Sequence, residues 1–288
     1  MNTLLIPTDF SPVANNAIKY AIDMALAYKL DVSLLHVVLL STPSVSNVVY
    51  IDVATDFQKE AEEHMAFYVN TLKEKYPSLN ITYKVETGLF LDSLKRSCDD
   101  LSPVAIVMGI TGIGSTFDKL IGSNTILAMR SVACPLIVVP RNGVFKEVGK
   151  LCVACDLQHV ANSTPLLAIK TFAKLFDAQV HILNVDYDNR HFTANTPDEL
   201  EVLNLMFDNV DAKFHFVENE NVPDAINDFI EREKIDMLIM LPKKHSFVES
   251  LFKKSQTKEM LYQSHIPMLA CAACINSIEW GLDYKLYS

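Results

Sequence analysis

Four of the eight glycines in this 288-residue chain, Gly109, Gly112, Gly114 and Gly122, fall within fourteen residues. They follow an aliphatic run, Val104 to Met108, and lead into a helical pattern that opens at Gly122-Ser123 and is clearest over Thr125 to Met129. Residues without a Cβ let backbone N–H groups approach an anion closely, and the free amides and dipole of a helix start favour negative charge. The chemistry suited to this spacing is phosphate binding in a backbone cradle. A tight loop without a ligand is the plainer reading of the same glycines, and Ser123 caps the helix under either reading.

Other clusters point to less. Cys152 and Cys155, and Cys271 and Cys274, have the C-x2-C spacing of a zinc site. Both pairs lie on or beside apolar runs, however, and residues i and i+3 of a strand point to opposite faces, so neither pair chelates easily. The eight histidines show no metalloprotease spacing, and His36 and His181 read as matching structural positions of two second strands. There is no nucleophile elbow, no G-K-[ST] loop and no catalytic carboxylate pair. No catalytic or metal-binding residue is assigned.

The elements that must position the loop occur twice. Thr3 to Pro12 (TLLIPTDFSP) has a counterpart in Lys150 to His159 (KLCVACDLQH), each an apolar strand ending in Asp. Amphipathic stretches follow at Val13 to Tyr28 and Val160 to Phe176, then apolar runs at Val32 to Val38 and Gln179 to Val185. The order continues with strands at Ile81 to Val85 and Lys213 to Val217, and helices at Leu89 to Cys98 and Val222 to Arg232. Central strands at Val104 to Met108 and Asp236 to Leu241 come next, and Leu136 to Val139 and Pro267 to Cys271 close the halves. The strands are continuously aliphatic rather than alternating, as parallel strands buried on both faces require. The expected fold class is therefore α/β: two tandem doubly wound domains, each a five-stranded parallel sheet with helices on both faces. The boundaries read 1–142 and 149–275, with a tail 276–288 carrying Trp280, Tyr284 and Tyr287 and expected to pack back on the surface.

Where the first half has glycines, the second has Leu241 to Ser255, with none. Side chains there block close backbone approach, so one phosphate site per chain is expected, and Lys243, Lys244, Lys253 and Lys254 read as solvated charge. Asp156 persists in this half, which favours a turn-stabilising role for Asp9 and Asp156 alike.

Composition narrows the classes. Hydrophobic residues make up 50% and charged residues 21%, which excludes intrinsic disorder. No run approaches the roughly 20 apolar residues of a membrane span, no export signal is apparent, and six cysteines are too sparse for a disulfide scaffold, so a cytoplasmic protein with reduced thiols is expected. The net charge of −10 is uneven: residues 1–146 carry 12 basic and 14 acidic residues (12 − 14 = −2), and residues 147–288 carry 13 and 21 (13 − 21 = −8). Neither half suits nucleic acid, and a phosphate ligand must be held by local geometry.

Gly109-x2-Gly112-x9-Gly122-Ser123 resembles the signature of ATP-binding universal stress proteins at every fixed position, and Pro7-Thr8-Asp9 and His36-Val37 are similar to that family too. The resemblance covers nearly the whole chain, twice. It implies an adenine nucleotide α-hydrolase-like fold and an ATP (or AMP or ADP) ligand, with magnesium. Pro7, Thr8, Asp9 and the backbone near Val37 would hold the adenosine, while Met108, Gly109, Gly112, Gly114, Gly122, Ser123, Asn124 and Thr125 would surround the phosphates. One departure is the absence of a basic residue between the first two glycines, where Ile110 and Thr111 stand; Lys119 or the magnesium ion would compensate. The family also implies an intramolecular pseudo-dimer with Leu136 to Val139 facing Pro267 to Cys271, and further association into a homodimer. Two alternatives remain: a slow ATPase or autophosphorylating enzyme using Ser115, Ser123 or Thr125, and a nucleotide-free interaction scaffold.

Overall fold

In the first half, β1 (Thr3–Pro7), β2 (Asp31–Val38), β3 (Ile81–Thr87), β4 (Ala105–Gly109) and β5 (Leu136–Val139) alternate with α1 (Pro12–Tyr28), α2 (Asn47–Lys75), α3 (Phe90–Leu101) and α4 (Ser123–Ser131). The second half repeats this with β6 (Lys150–Ala154), α5 (Val160–Ser163), α6 (Leu166–Phe176), β7 (Gln179–Asp186), α7 (Thr196–Met206), β8 (Ala212–Glu218), α8 (Val222–Glu233), β9 (Met237–Met240) and β10 (Met268–Ala270). The computed structural model describes residues 2–39, 47–110, 123–157, 159–187, 195–240 and 265–271, with the backbone alone at 47–55, 123, 162 and 163. The tail and the segment 241–264 lie outside the described residues, as do Gly112, Gly114 and Gly122.

The two halves, each of five parallel strands as expected, join edge to edge. Their strands make one ten-stranded sheet in the order β3-β2-β1-β4-β5-β10-β9-β6-β7-β8. Each half has the same doubly wound order and is parallel throughout. The joint is antiparallel, with Met268 opposite Val138, Leu269 opposite Ile137 and Ala270 opposite Leu136. Short β5 and β10 would otherwise be open edges, and pairing satisfies their backbone groups.

The sheet separates two apolar layers. On one face α1, α2, α6 and α7 cover Leu4, Ile6, Val107, Val153 and Ile239; on the other α3, α4 and α8 cover Leu5, Ile106, Cys152 and Leu238. Cys152 and Cys155 thus lie on opposite sides of the sheet, as the i, i+3 spacing requires. The linker crosses the first layer: Phe145 stands edge-on to Tyr20 and Tyr28 at 5.4 and 6.0 Å, Tyr28 packs on Phe176 at 4.9 Å, and the Val148 N–H donates to the Tyr28 hydroxyl at 2.9 Å. Among the described residues no helix is long and apolar enough to cross a membrane.

Several elements differ from the sequence expectation. The stretch Val160 to Phe176 is broken at Thr164-Pro165, because Pro165 lacks an N–H and its ring drives Thr164 to extended angles (φ −96°, ψ 115°). Helices α2 and α7 fill the connections between the second and third strands, for which the sequence yielded no element. Helix α3 runs three residues past Cys98, ending at a left-handed Ser102 whose N–H donates to the Cys98 carbonyl.

Candidate functional site

Strand order reverses between β1 and β4, and in an open parallel sheet the crevice beyond the carboxyl ends at such a point is where ligands bind. The chain leaves β1 at Pro7 through Thr8 and Asp9, and leaves β4 at Gly109 through Ile110.

Local hydrogen bonds fix the first turn. The Thr8 N–H donates to Leu35 at 2.8 Å, continuing the β1–β2 ladder, and the Thr8 hydroxyl accepts from the Phe10 N–H at 3.0 Å. Asp9 Oδ1 accepts from the Ser11 N–H at 3.0 Å, an Asx turn that delivers the chain to Ser11, and Ser11 Oγ caps α1 by accepting from the Ala14 N–H at 3.2 Å. The His36 ring donates through Nδ1 to the Thr8 carbonyl at 2.8 Å, which places the proton on that nitrogen. Phe10 takes a left-handed φ of 59°, a strained angle for an aromatic residue, and packs among His36, His64 and Tyr68 with ring centroids 4.4–5.5 Å apart.

Gly109 has a packing reason to be glycine. A Cβ there would stand 2.5 Å from Val13 Cγ1 and 2.6 Å from the Val13 carbonyl oxygen, so α1 occupies the space. Thr125, buried in the first turn of α4, donates its hydroxyl to the Gly109 carbonyl at 3.0 Å and ties the helix start to the end of β4.

The expected residues are therefore distributed as follows. Pro7 and Thr8 are buried at the end of β1, and Asp9 is exposed beyond it. Val37 is half-buried in β2, paired with Glu86 of β3. Met108 is buried in the layer under α3 and α4, Gly109 pairs with Val139, and Ser123, Asn124 and Thr125 form the first turn of α4 with Asn124 exposed. Thr125 and Gly109 meet directly.

The second half copies the turn with different atoms. The Cys155 N–H donates to Leu183 at 2.9 Å as Thr8 does to Leu35, and the Leu157 N–H donates to Cys155 Sγ at 3.4 Å as Phe10 does to the Thr8 hydroxyl. Leu157 repeats the left-handed φ, at 54°. The Asn184 amide donates to the Cys155 carbonyl at 2.9 Å, the bond His36 makes to Thr8. The counterpart of His36 is thus Asn184 and not His181: the register pairs Leu4 with Val32 and Leu151 with Val180, which moves His181 three residues back along β7. The sequence alignment of the two histidines fails because their neighbours are aliphatic at every shift.

His181 instead stacks on His215 of β8, rings parallel within 1° and 5.0 Å apart, with Phe229 of α8 against both. Burial is the main cause holding each ring below the ordinary histidine pKa, with further lowering of His181 by His215 and Lys150. No group of three or more metal-ligating side chains occurs among the described residues.

Comparison with known proteins agrees with this architecture. A search of curated proteins found no match. Among solved structures, a universal stress protein from Archaeoglobus fulgidus DSM 4304 superposes with a TM-score of 0.68 at 19% identity, over 94% of this chain and 98% of that one. A universal stress protein from Pseudomonas aeruginosa UCBPP-PA14, described as putative, gives 0.55 at 11% identity over 94% and 93%. The universal stress protein family matches residues 1–140 and, again, residues 148–272. A chain matched twice across nearly its full length, with this strand order in both halves, belongs to the universal stress protein family.

Proposed function

We propose that this chain is an adenine-nucleotide-binding stress-response or signalling protein of the cytoplasm, with one nucleotide site, in its N-terminal domain (1–142). The observation that carries this reading is the connection across the β1/β4 switch point: the chain leaves β4 at Gly109 and re-enters as α4 at Ser123, and the residues between include Gly112, Gly114 and Gly122. Anions favour such a helix start. An exposed Asp9 carboxylate with one oxygen engaged by Ser11 keeps acceptor capacity for a ribose hydroxyl. The described residues fit a nucleotide on these grounds, although Gly109 itself is accounted for by Val13.

In this reading ATP is the ligand and magnesium offsets the missing basic residue at Ile110-Thr111. The bound nucleotide supplies a switchable phosphate charge. Pro7, Thr8, Asp9 and the Val37 backbone orient the nucleoside; Met108, Gly109, Gly112, Gly114, Gly122, Ser123, Asn124 and Thr125 surround the phosphates. The second domain (149–275), with no glycine between Leu241 and Ser255, is a structural partner in an intramolecular pseudo-dimer.

The test is to incubate the purified protein with Mg-ATP and measure binding and ADP release together, beside a Gly122→Val variant whose melting temperature is checked. Binding by the wild type, lost in a folded variant and without turnover, supports the proposal. Turnover lost in the variant replaces it with an enzyme, and no binding by the wild type overturns it.

A further inference from the structure

At the opposite end of β4 from the crevice, the last turn of α3 and the segment joining α4 to β5 enclose a cavity of about 430 Å³. Its lining includes Lys95, Cys98, Asp99, Pro103 and Cys134. Cys98 is half-exposed and Cys134 is buried. The two thiols, 36 positions apart in the chain, line the same cavity, and burial, with the neighbouring Cys98 thiol adding to it, pushes the Cys134 thiol up. Cys134 Sγ also approaches the carbonyls of Pro103 at 3.7 Å and Pro135 at 3.5 Å, which fixes its direction. Elsewhere among the described residues, Cys152, Cys155 and Cys271 are buried and in no disulfide.

We propose that Cys98 and Cys134 form an oxidisable dithiol whose oxidant is a hydroperoxide entering through the cavity. Cys98 is the thiol that solvent reaches, so it reacts first. Its sulfur attacks one peroxide oxygen, the O–O bond breaks, the departing oxygen takes the thiol proton and leaves as water or an alcohol, and Cys98 becomes a sulfenic acid. The Cys134 sulfur then attacks the Cys98 sulfur; the S–O bond breaks, and the hydroxide leaves as water with the Cys134 proton. Two thiols lose two electrons to one peroxide, and a disulfide forms.

The position gives the bond a consequence. It closes a covalent loop that contains β4, the glycine-bearing segment and α4, so oxidation restrains that loop in the unfolded chain and raises the melting temperature. The exposed lining residues Lys95 and Asp99 are of opposite charge, which suits a small neutral oxidant better than a charged one.

The experiment treats the full-length reduced protein with hydrogen peroxide, alkylates the remaining thiols after unfolding, and maps linked peptides without reduction. A Cys98→Ser variant runs in parallel and is expected to fold, since its side chain is half-exposed. The expected result is one linked peptide pair containing Cys98 and Cys134, a melting temperature raised by several degrees and restored by dithiothreitol, and neither effect in the variant. The proposal is overturned if Cys98 proceeds to sulfinic acid unlinked, if Cys134 pairs with Cys271 instead, if the thiols stay alkylatable, or if the variant is stabilised equally.

Discussion

Two ionisable rings stacked in an apolar layer are the residue-scale feature with the clearest solution signature. His181 is 2% exposed, and its ring and that of His215 are held below the ordinary histidine pKa mainly by burial. Other charges face them: Lys150 and Lys213 lower His181, Lys213 and Arg232 lower His215, and Glu233 opposes the shift in both. The unfolded chain therefore takes up protons below about pH 6.5 that the folded chain refuses, and stability falls as pH drops below that value. Urea unfolding between pH 7.5 and mildly acid pH (~5) should show this decline, and His215→Phe, which keeps the stack and removes one proton site, should make it shallower. An unchanged slope in the variant would remove the pair as the cause. None of this was legible in the sequence, because stacking depends on the register of β7 against β8 and the periodicity of aliphatic residues does not fix that register. The turn residues were more legible: an Asp two residues before a Ser-Pro step announces an Asx turn and cap, and both are present at Asp9 and Ser11.

At the scale of elements, the approach of α1 to β4 is the tightest constraint near the candidate site. Gly109→Ala places a methyl group against the Val13 backbone oxygen, and over-packing of this kind costs roughly 1–3 kcal/mol. The expected outcome is a lower urea midpoint with unchanged slope, in the presence or absence of nucleotide; full stability in the alanine variant would mean that α1 can retreat from β4. The glycine cluster was visible in the sequence, but Gly109 owes part of its identity to a helix 96 residues earlier in the chain, a long-range reason no local pattern carries. Buried strands and the amphipathic α1 and α8 were readable because their apolar runs and 3.6-residue stripes are strong. The long α2 was not, since residues 56–60 are all exposed and its stripe is diluted by charge. The break at Pro165 was written in the sequence by the proline itself, yet the flanking aliphatic residues continue the helical period on either side.

The whole molecule is held at its middle by three residue pairs between β5 and β10 and by the Tyr28, Phe145 and Phe176 contacts of the linker. Separate fragments 1–148 and 149–288, mixed, should associate through this joint, with stability that depends on concentration by about 1.4 kcal/mol per tenfold dilution. Equilibrium unfolding of the mixture at several concentrations checks this, and concentration-independent unfolding of two non-interacting fragments would show that each half stands alone. Composition and periodicity do not announce the joint, because β5 reads like any other buried strand, but the family resemblance implied that Leu136 to Val139 faces Pro267 to Cys271, and β5 pairs with β10 there. Its antiparallel sense has a further effect. Strands of the first half point one way along the sheet and those of the second half the other, so the carboxyl-end crevice at β1/β4 and its counterpart at β6/β9 open at opposite ends of the molecule. The protein is two-ended: access to one crevice is geometrically independent of access to the other.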